Sequence, residues 1–111
     1  MNMYAEYMKE KDNLEYLEIK GKGFCTYIEQ DLCFYIVDIY VRPKFRKSMV
    51  ASRLADKVAD IAIENEKQFL LGAVEIDSVA EEANTQVLES YGFKFSHYDD
   101  SDEINYFIRR L

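Results

Sequence analysis

The feature that most constrains this chain is the nine-residue run Cys33-Phe34-Tyr35-Ile36-Val37-Asp38-Ile39-Tyr40-Val41, which carries one charge and is closed by Arg42-Pro43. Continuous apolar character over that length predicts a central strand covered on both faces. Proline has no N–H to give to a ladder and so sets the strand's end. Ser48 follows in a good N-cap position, and Val50, Ala51, Leu54, Ala55, Val58, Ala59, Ile61 and Ala62 recur at helical spacing, predicting a helix to about Asn65. Unpaired amides at such a helix start, with the positive end of the helix dipole, make an anion site even without a cationic side chain. Arg46 and Lys47 add to that field.

The flanking segments supply the rest of a fold. Tyr4, Tyr7 and Met8 suggest a short amphipathic helix over residues 2–10. Alternation from Leu14 to Ile19, the turn Gly21-Lys22-Gly23 and the aromatic and β-branched stretch 24–29 predict two antiparallel strands. Residues 69–76 read as a buried strand, and residues 80–91 as a helix with Ala83, Val87 and Leu88 inward, stopped by Gly92. Strands at 93–98 and 104–108 flank the acidic turn Asp99-Asp100-Ser101-Asp102-Glu103 as a hairpin. The order predicts an α/β fold of α+β character: a mixed, mostly antiparallel sheet, helices on both faces, and a right-handed strand-helix-strand crossover between Val41 and Phe69. With 111 residues, 49% of them hydrophobic, and no repeat or Pro/Gly-rich linker, one domain over 1–111 is expected.

Charge narrows the ligands. A net charge of -7 disfavours nonspecific binding to nucleic acid or anionic lipid and favours a cationic acceptor. Yet Arg42, Lys44, Arg46 and Lys47 fall within six residues, so the local sign opposes the global one where an anion would sit. Cys25 and Cys33 lack CxxC spacing and there is one histidine, His97, so no metal site assembles and buried thiols are expected. Residues 1–11 carry no apolar stretch of signal-peptide or membrane-span length, making the cytoplasm the default location.

The strand-turn-helix segment resembles a motif of the GNAT acetyltransferase superfamily: a strand ending hydrophobic-Tyr-Val-x-Pro, then Arg-x-x-Gly-x-Gly/Ala opening a helix. Here the match runs through Ile39-Tyr40-Val41-Arg42-Pro43, Arg46 and Ala51, with Met49 in place of the first glycine. A second, looser match is the Gly92-Phe93 stop, where the family's asparagine, alanine and tyrosine correspond to Glu81, Asn84 and Leu88. The resemblance covers about residues 14–108. It implies acetyl-CoA as co-substrate: Ile39, Tyr40 and Val41 along the pantetheine arm, and Arg46, Lys47, Ser48, Met49, Val50 and Ala51 around the pyrophosphate. Methionine can keep a helical φ there and leave its amide free, provided its side chain points away. The implied reaction is acetyl transfer to a primary amine, a lysine side chain or small cationic amine.

Two residues are candidates for the chemistry. Asp38 resembles the aspartate that faces the acceptor amine in polyamine-type members; alternatively it is a carboxylate satisfied by a neighbouring element. Tyr91 lies almost one turn beyond Leu88 and either supplies the proton for the departing thiolate or packs in the core. The acidic turn either steers a cation or is a solvated loop. The family's first strand and its acceptor helices have little counterpart before Leu14. That leaves an acceptor site that is open, completed by a partner subunit in a homodimer, or shaped for a macromolecule. The alternative reading of the whole is a catalytically silent coenzyme A-binding or protein-interaction module.

Overall fold

A computed structural model describes residues 3–76 and 79–111; the expected first helix starts at Asn2, which lies outside the described residues. Helix α1 (Met3–Asp12) leads into strands β1 (Glu15–Ile19), β2 (Gly23–Glu29) and β3 (Cys33–Val41). A 3-10 turn (Pro43–Phe45) connects to α2 (Val50–Glu64), followed by β4 (Phe69–Glu75), α3 (Glu81–Ser90), β5 (Lys94–Asp99) and β6 (Ile104–Arg110). The six strands form one sheet in the order β1-β2-β3-β4-β6-β5. Among the described residues only β3 and β4 run parallel, joined by the expected crossover through α2.

The sheet's two faces are built differently. Alternation along β4 sends Leu70, Gly72 and Val74 to one face, where α2 and α3 both pack. Helix α2 contributes Val50, Leu54, Val58, Ala59 and Ala62 to a core shared with Cys25, Tyr27, Phe34, Ile36, Leu70, Phe93 and Phe107. Helix α1 lies on the opposite face, where Tyr4 meets Tyr16 and Phe24 edge-on. Helices therefore sit on both faces, as the sequence predicts. Helix α3 departs from expectation: Ala83 and Val87 are exposed, and Leu88 alone of the predicted trio packs inward. Its end follows the predicted glycine stop, with Gly92 at φ 88°. The Phe93 and Gly92 amides close back on the carbonyls of Leu88 (3.0 Å) and Glu89 (3.1 Å), a Schellman cap.

Strand β3 corrects the strongest sequence expectation. Cys33, Phe34 and Ile36 are buried, but Val37, Asp38 and Tyr40 are exposed. The register explains the change: Thr26 pairs with Asp38 and Tyr27 with Ile36, so Val37 is an extra, bulged residue. The bulge shifts the alternation, leaving Ile39 and Val41 against the core while Asp38 and Tyr40 turn to the opposite face, where both are exposed.

Candidate functional site

The parallel pairing of β3 with β4 is short: it joins Cys33, Phe34 and Tyr35 to Phe69, Leu70 and Leu71, and no further pair is made. From Ile36 to Val41, β3 keeps β2 on one side and, among the described residues, has no paired strand on the other. The Arg42 amide donates to the Lys22 carbonyl at 2.8 Å, which fixes the phase of the antiparallel ladder. By the alternation of that ladder, the backbone groups of Ile39 and Val41 face away from β2, into the gap where β3 and β4 part. The Val41 carbonyl is engaged there by Arg46 Nε at 3.0 Å. An extended chain entering the gap would find Ile39's peptide groups open to it.

The turn beyond β3 is built from unusual backbone. Phe45 and Arg46 amides bond back to Arg42 (2.8 Å) and Pro43 (3.3 Å). Lys47 and Met49 then take left-handed conformations, φ 67° and 66°. Among the described residues, no amide from Lys47 to Ser52 donates to a backbone carbonyl; the ladder of α2 begins with Arg53 donating to Met49 at 3.0 Å. Six successive N–H groups without a backbone acceptor thus stand at the positive end of a 15-residue helix, where an anion is electrostatically favoured.

Two sequence expectations about this turn are overturned. Ser48 does not cap the helix: its hydroxyl donates to the Phe45 carbonyl, inside the turn, and the cap position belongs to Met49 with no side-chain bond. Nor does Met49 keep a helical φ. The left-handed conformation is where glycine would be free of strain, and a β-carbon there costs about 1–2 kcal/mol. The Met49 side chain does point away, 72% exposed, as the free amide requires.

Around this turn lies a cleft of about 610 Å³. Its walls include Ile39, Tyr40, Val41, Arg46, Lys47, Met49, Val50 and Ala51 from the predicted segment, and Tyr91 from the end of α3. Ser48 and Asp38 do not line it. Asp38 sits on the sheet's other face; the Tyr35 phenol is raised chiefly by burial, with Tyr106 and then Asp38 adding to the shift. Burial likewise raises the Tyr91 phenol, keeping it protonated at neutral pH. Leu88, in contrast, is turned into the core over Gly72, where an added β-carbon would meet its methyls at 3.1 and 3.2 Å. Phe45, Ser52, Val87 and Ser90 also line the cleft and were not singled out from sequence. Val87, Ser90 and Tyr91 share the i, i+3, i+4 face of α3, a spacing that could have flagged them.

Tyr91 is held in place by Arg109 of β6. Its Nη1 donates to the Tyr91 carbonyl at 3.3 Å, and its Nη2 pairs with Asp56 of α2 at 2.9 Å. Among the described residues no group of three or more His, Cys, Asp or Glu gathers to hold a metal, and no helix is long and apolar enough to cross a membrane.

Residues 18–93 match the sequence profile of the Acetyltransferase (GNAT) family. The chain belongs to the GNAT family. Among curated proteins none matches it in sequence. The fold is shared with solved GNAT structures at low identity. Ard1 from Thermoplasma volcanium is 23% identical with a TM-score of 0.64, the match covering 81% of this chain and 63% of that one. A GNAT acetyltransferase from Elizabethkingia anophelis with acetyl-CoA bound is 15% identical, TM-score 0.71, with 96% and 82% covered. An acetyltransferase from Bacillus subtilis in complex with CoA is 11% identical, TM-score 0.70, with 96% and 83% covered. This GNAT chain thus spans less than two thirds of the Thermoplasma protein.

Proposed function

We propose that this GNAT chain is an acetyl-CoA-dependent N-acetyltransferase acting on a primary amine, a lysine side chain or a small cationic amine. One observation carries the reading: the unpaired edge of β3 runs directly into six amides, Lys47 to Ser52, that have no backbone acceptor, and all of these residues but Ser48 line one cleft. An acyl-CoA presents the complement, a peptide-like pantetheine arm that can pair with a strand edge and a pyrophosphate that can accept from clustered N–H groups. The amides of Lys47 to Ala51 hold the pyrophosphate, and Ile39, Tyr40 and Val41 flank the arm. Arg46 acts chiefly by tying the turn to Val41.

The chemistry follows from the two sides of the sheet. The thioester lies where β3 and β4 part, and the amine approaches from the open face carrying Asp38. A lysine-type amine has a pKa near ~10.4 and must lose a proton before attack, which Asp38 assists by accepting it. The nitrogen lone pair forms the new C–N bond, the carbon–sulfur bond breaks, and the departing thiolate takes the phenolic proton of Tyr91. Positioning of the two reactants contributes up to roughly 7–11 kcal/mol of the barrier lowering. Cytoplasmic residence belongs to the same proposal, supported by Cys25 and Cys33 being free, buried thiols.

Calorimetric titration with acetyl-CoA, followed by mass spectrometry of an amine and lysine-peptide panel, tests the reading. Binding with a mass gain of ~42 daltons on the acceptor, the net change when an acetyl group replaces one hydrogen, is the expected result. Binding without transfer to any acceptor would instead favour a silent coenzyme-binding module, a second reading supported by Leu88 being committed to the core. The absence of binding would remove both.

A further inference from the structure

Resting on that reading, we infer that Lys22 and Lys44 form a separate subsite for a phosphate monoester, the 3′-phosphate of coenzyme A. The six amides of the turn account for a pyrophosphate but leave cations beside it without an anion. Lys22 Nζ lies 5.5 Å and Lys44 Nζ 5.8 Å from the centre of the same ring, that of Phe45. Neither ammonium is in a salt bridge among the described residues, where the ion pairs are Lys9–Glu15, Lys67–Glu29 and Arg109–Asp56. Two like charges flanking one ring repel each other, and a dianion that both flexible side chains reach offsets that repulsion. Phe45 itself lines the cleft beside Arg46 and Lys47, while the two lysines on its ring lie outside that lining, so the pair flanks the anion cradle rather than belonging to it.

Lys22 is not part of the strand-turn-helix motif; it comes from the β1–β2 turn, and the fold brings it there by a specific close approach. The Lys22 carbonyl accepts from the Arg42 amide at 2.8 Å. Gly23 lets the two backbones meet, since a β-carbon at that position would lie 2.4 Å from the Tyr40 carbonyl oxygen. The turn is thereby fixed against the end of β3 with its lysine aimed over Phe45. The chemical consequence is discrimination: the amide cradle serves any acyl chain ending in a pyrophosphate, whereas the lysine pair serves only a nucleotide bearing a third phosphate.

The test is calorimetry on the full chain with coenzyme A and with 3′-dephospho-coenzyme A, for the wild type, Lys22→Ala/Lys44→Ala and Lys22→Arg/Lys44→Arg, with circular dichroism confirming that each variant folds. The wild type is expected to bind coenzyme A at least about tenfold more tightly than the dephospho form, the factor that one charge-assisted contact corresponds to. The double alanine variant should lose that preference by weakening coenzyme A alone, and the arginine variant should keep it. Equal wild-type affinity for the two ligands, or equal weakening of both in the alanine variant, overturns the subsite while leaving the acyl-CoA reading intact. Binding of neither ligand by the folded wild type overturns the subsite and the reading beneath it together.

Discussion

The two helices on the cleft face of the sheet differ in how firmly they are held. Helix α2 buries six residues, Val50, Leu54, Ala55, Val58, Ala59 and Ala62, whereas α3 buries none and rests on Leu88 and its glycine cap. Each supplies one wall of the cleft. The turn proposed to hold the pyrophosphate is thus mounted on the most deeply packed helix among the described residues, and Tyr91 at the end of one of the least. Rigid amides suit a site that must stay preorganised for a charged ligand, while a lightly packed helix can shift as a ligand enters and leaves. Arg109 limits that freedom by bridging the Tyr91 carbonyl to Asp56.

Breaking the firm side should have the largest effect. Leu54→Ala removes a side chain with no exposure from the centre of the core and should cost about 2–5 kcal/mol in chemical denaturation. Leu88→Ala, on the partly buried side, should cost clearly less. If the two substitutions destabilise equally, the contrast between the helices is wrong. Tyr91→Phe should leave acetyl-CoA affinity unchanged and lower kcat by about 10²-fold, the range of general acid catalysis. The raised phenol also places the alkaline loss of kcat above the ordinary tyrosine range, because a general acid works only below its pKa. A variant that lowers affinity and kcat together would assign Tyr91 to packing.

Alkali probes the firm side in another way. Burial pushes the Cys25 thiol from 9.0 up to about 12, with Asp38 adding to the shift, so the folded state holds a proton that the unfolded chain gives up. Its contribution is fully present below pH 9 and is lost as pH rises toward 12; at pH 10 stability should be about 1.4 kcal/mol lower than at pH 7 from this group. Tyr27, raised to about 12 by burial, joins above pH 10. Urea melts of the wild type and Cys25→Ala at the two pH values read the difference, which should shrink in the variant. Met49→Gly sharpens the site itself: relief of the left-handed conformation should raise stability by about 1 kcal/mol and tighten acetyl-CoA binding. Unchanged affinity would mean that the strain is not coupled to the ligand.

What was legible in the sequence follows the same division. The strand end at Pro43, the periodicity of α2, the crossover and the Gly92 stop are written in local patterns of φ restriction and hydrophobic spacing, and each appears in the fold. The bulge at Val37 is not local: it depends on how β2 and β3 count against each other, and it turns Asp38 and Tyr40 outward in a run that reads as buried throughout. Met49 looks tolerable in a helix, and only the backbone shows it outside one. Arg109 and Lys22 reach the cleft region from distant strands and turns, so nothing in the motif around Arg46 points to them. Leu88 and Tyr91 are distinguished by their side of α3, a matter of where the helix lands on Gly72.

The central claim is that one continuous surface, the free edge of β3 and the amides of the following turn, binds an acyl-CoA. Titrating the 15N-labelled chain with acetyl-CoA while following backbone amide resonances tests it most directly. The account predicts saturable shifts concentrated at Lys47 to Ser52 and at Ile39 and Val41, with smaller shifts at Tyr91 and none along β5. Shifts confined to the β5–β6 hairpin, or no saturable shifts at all, would contradict it.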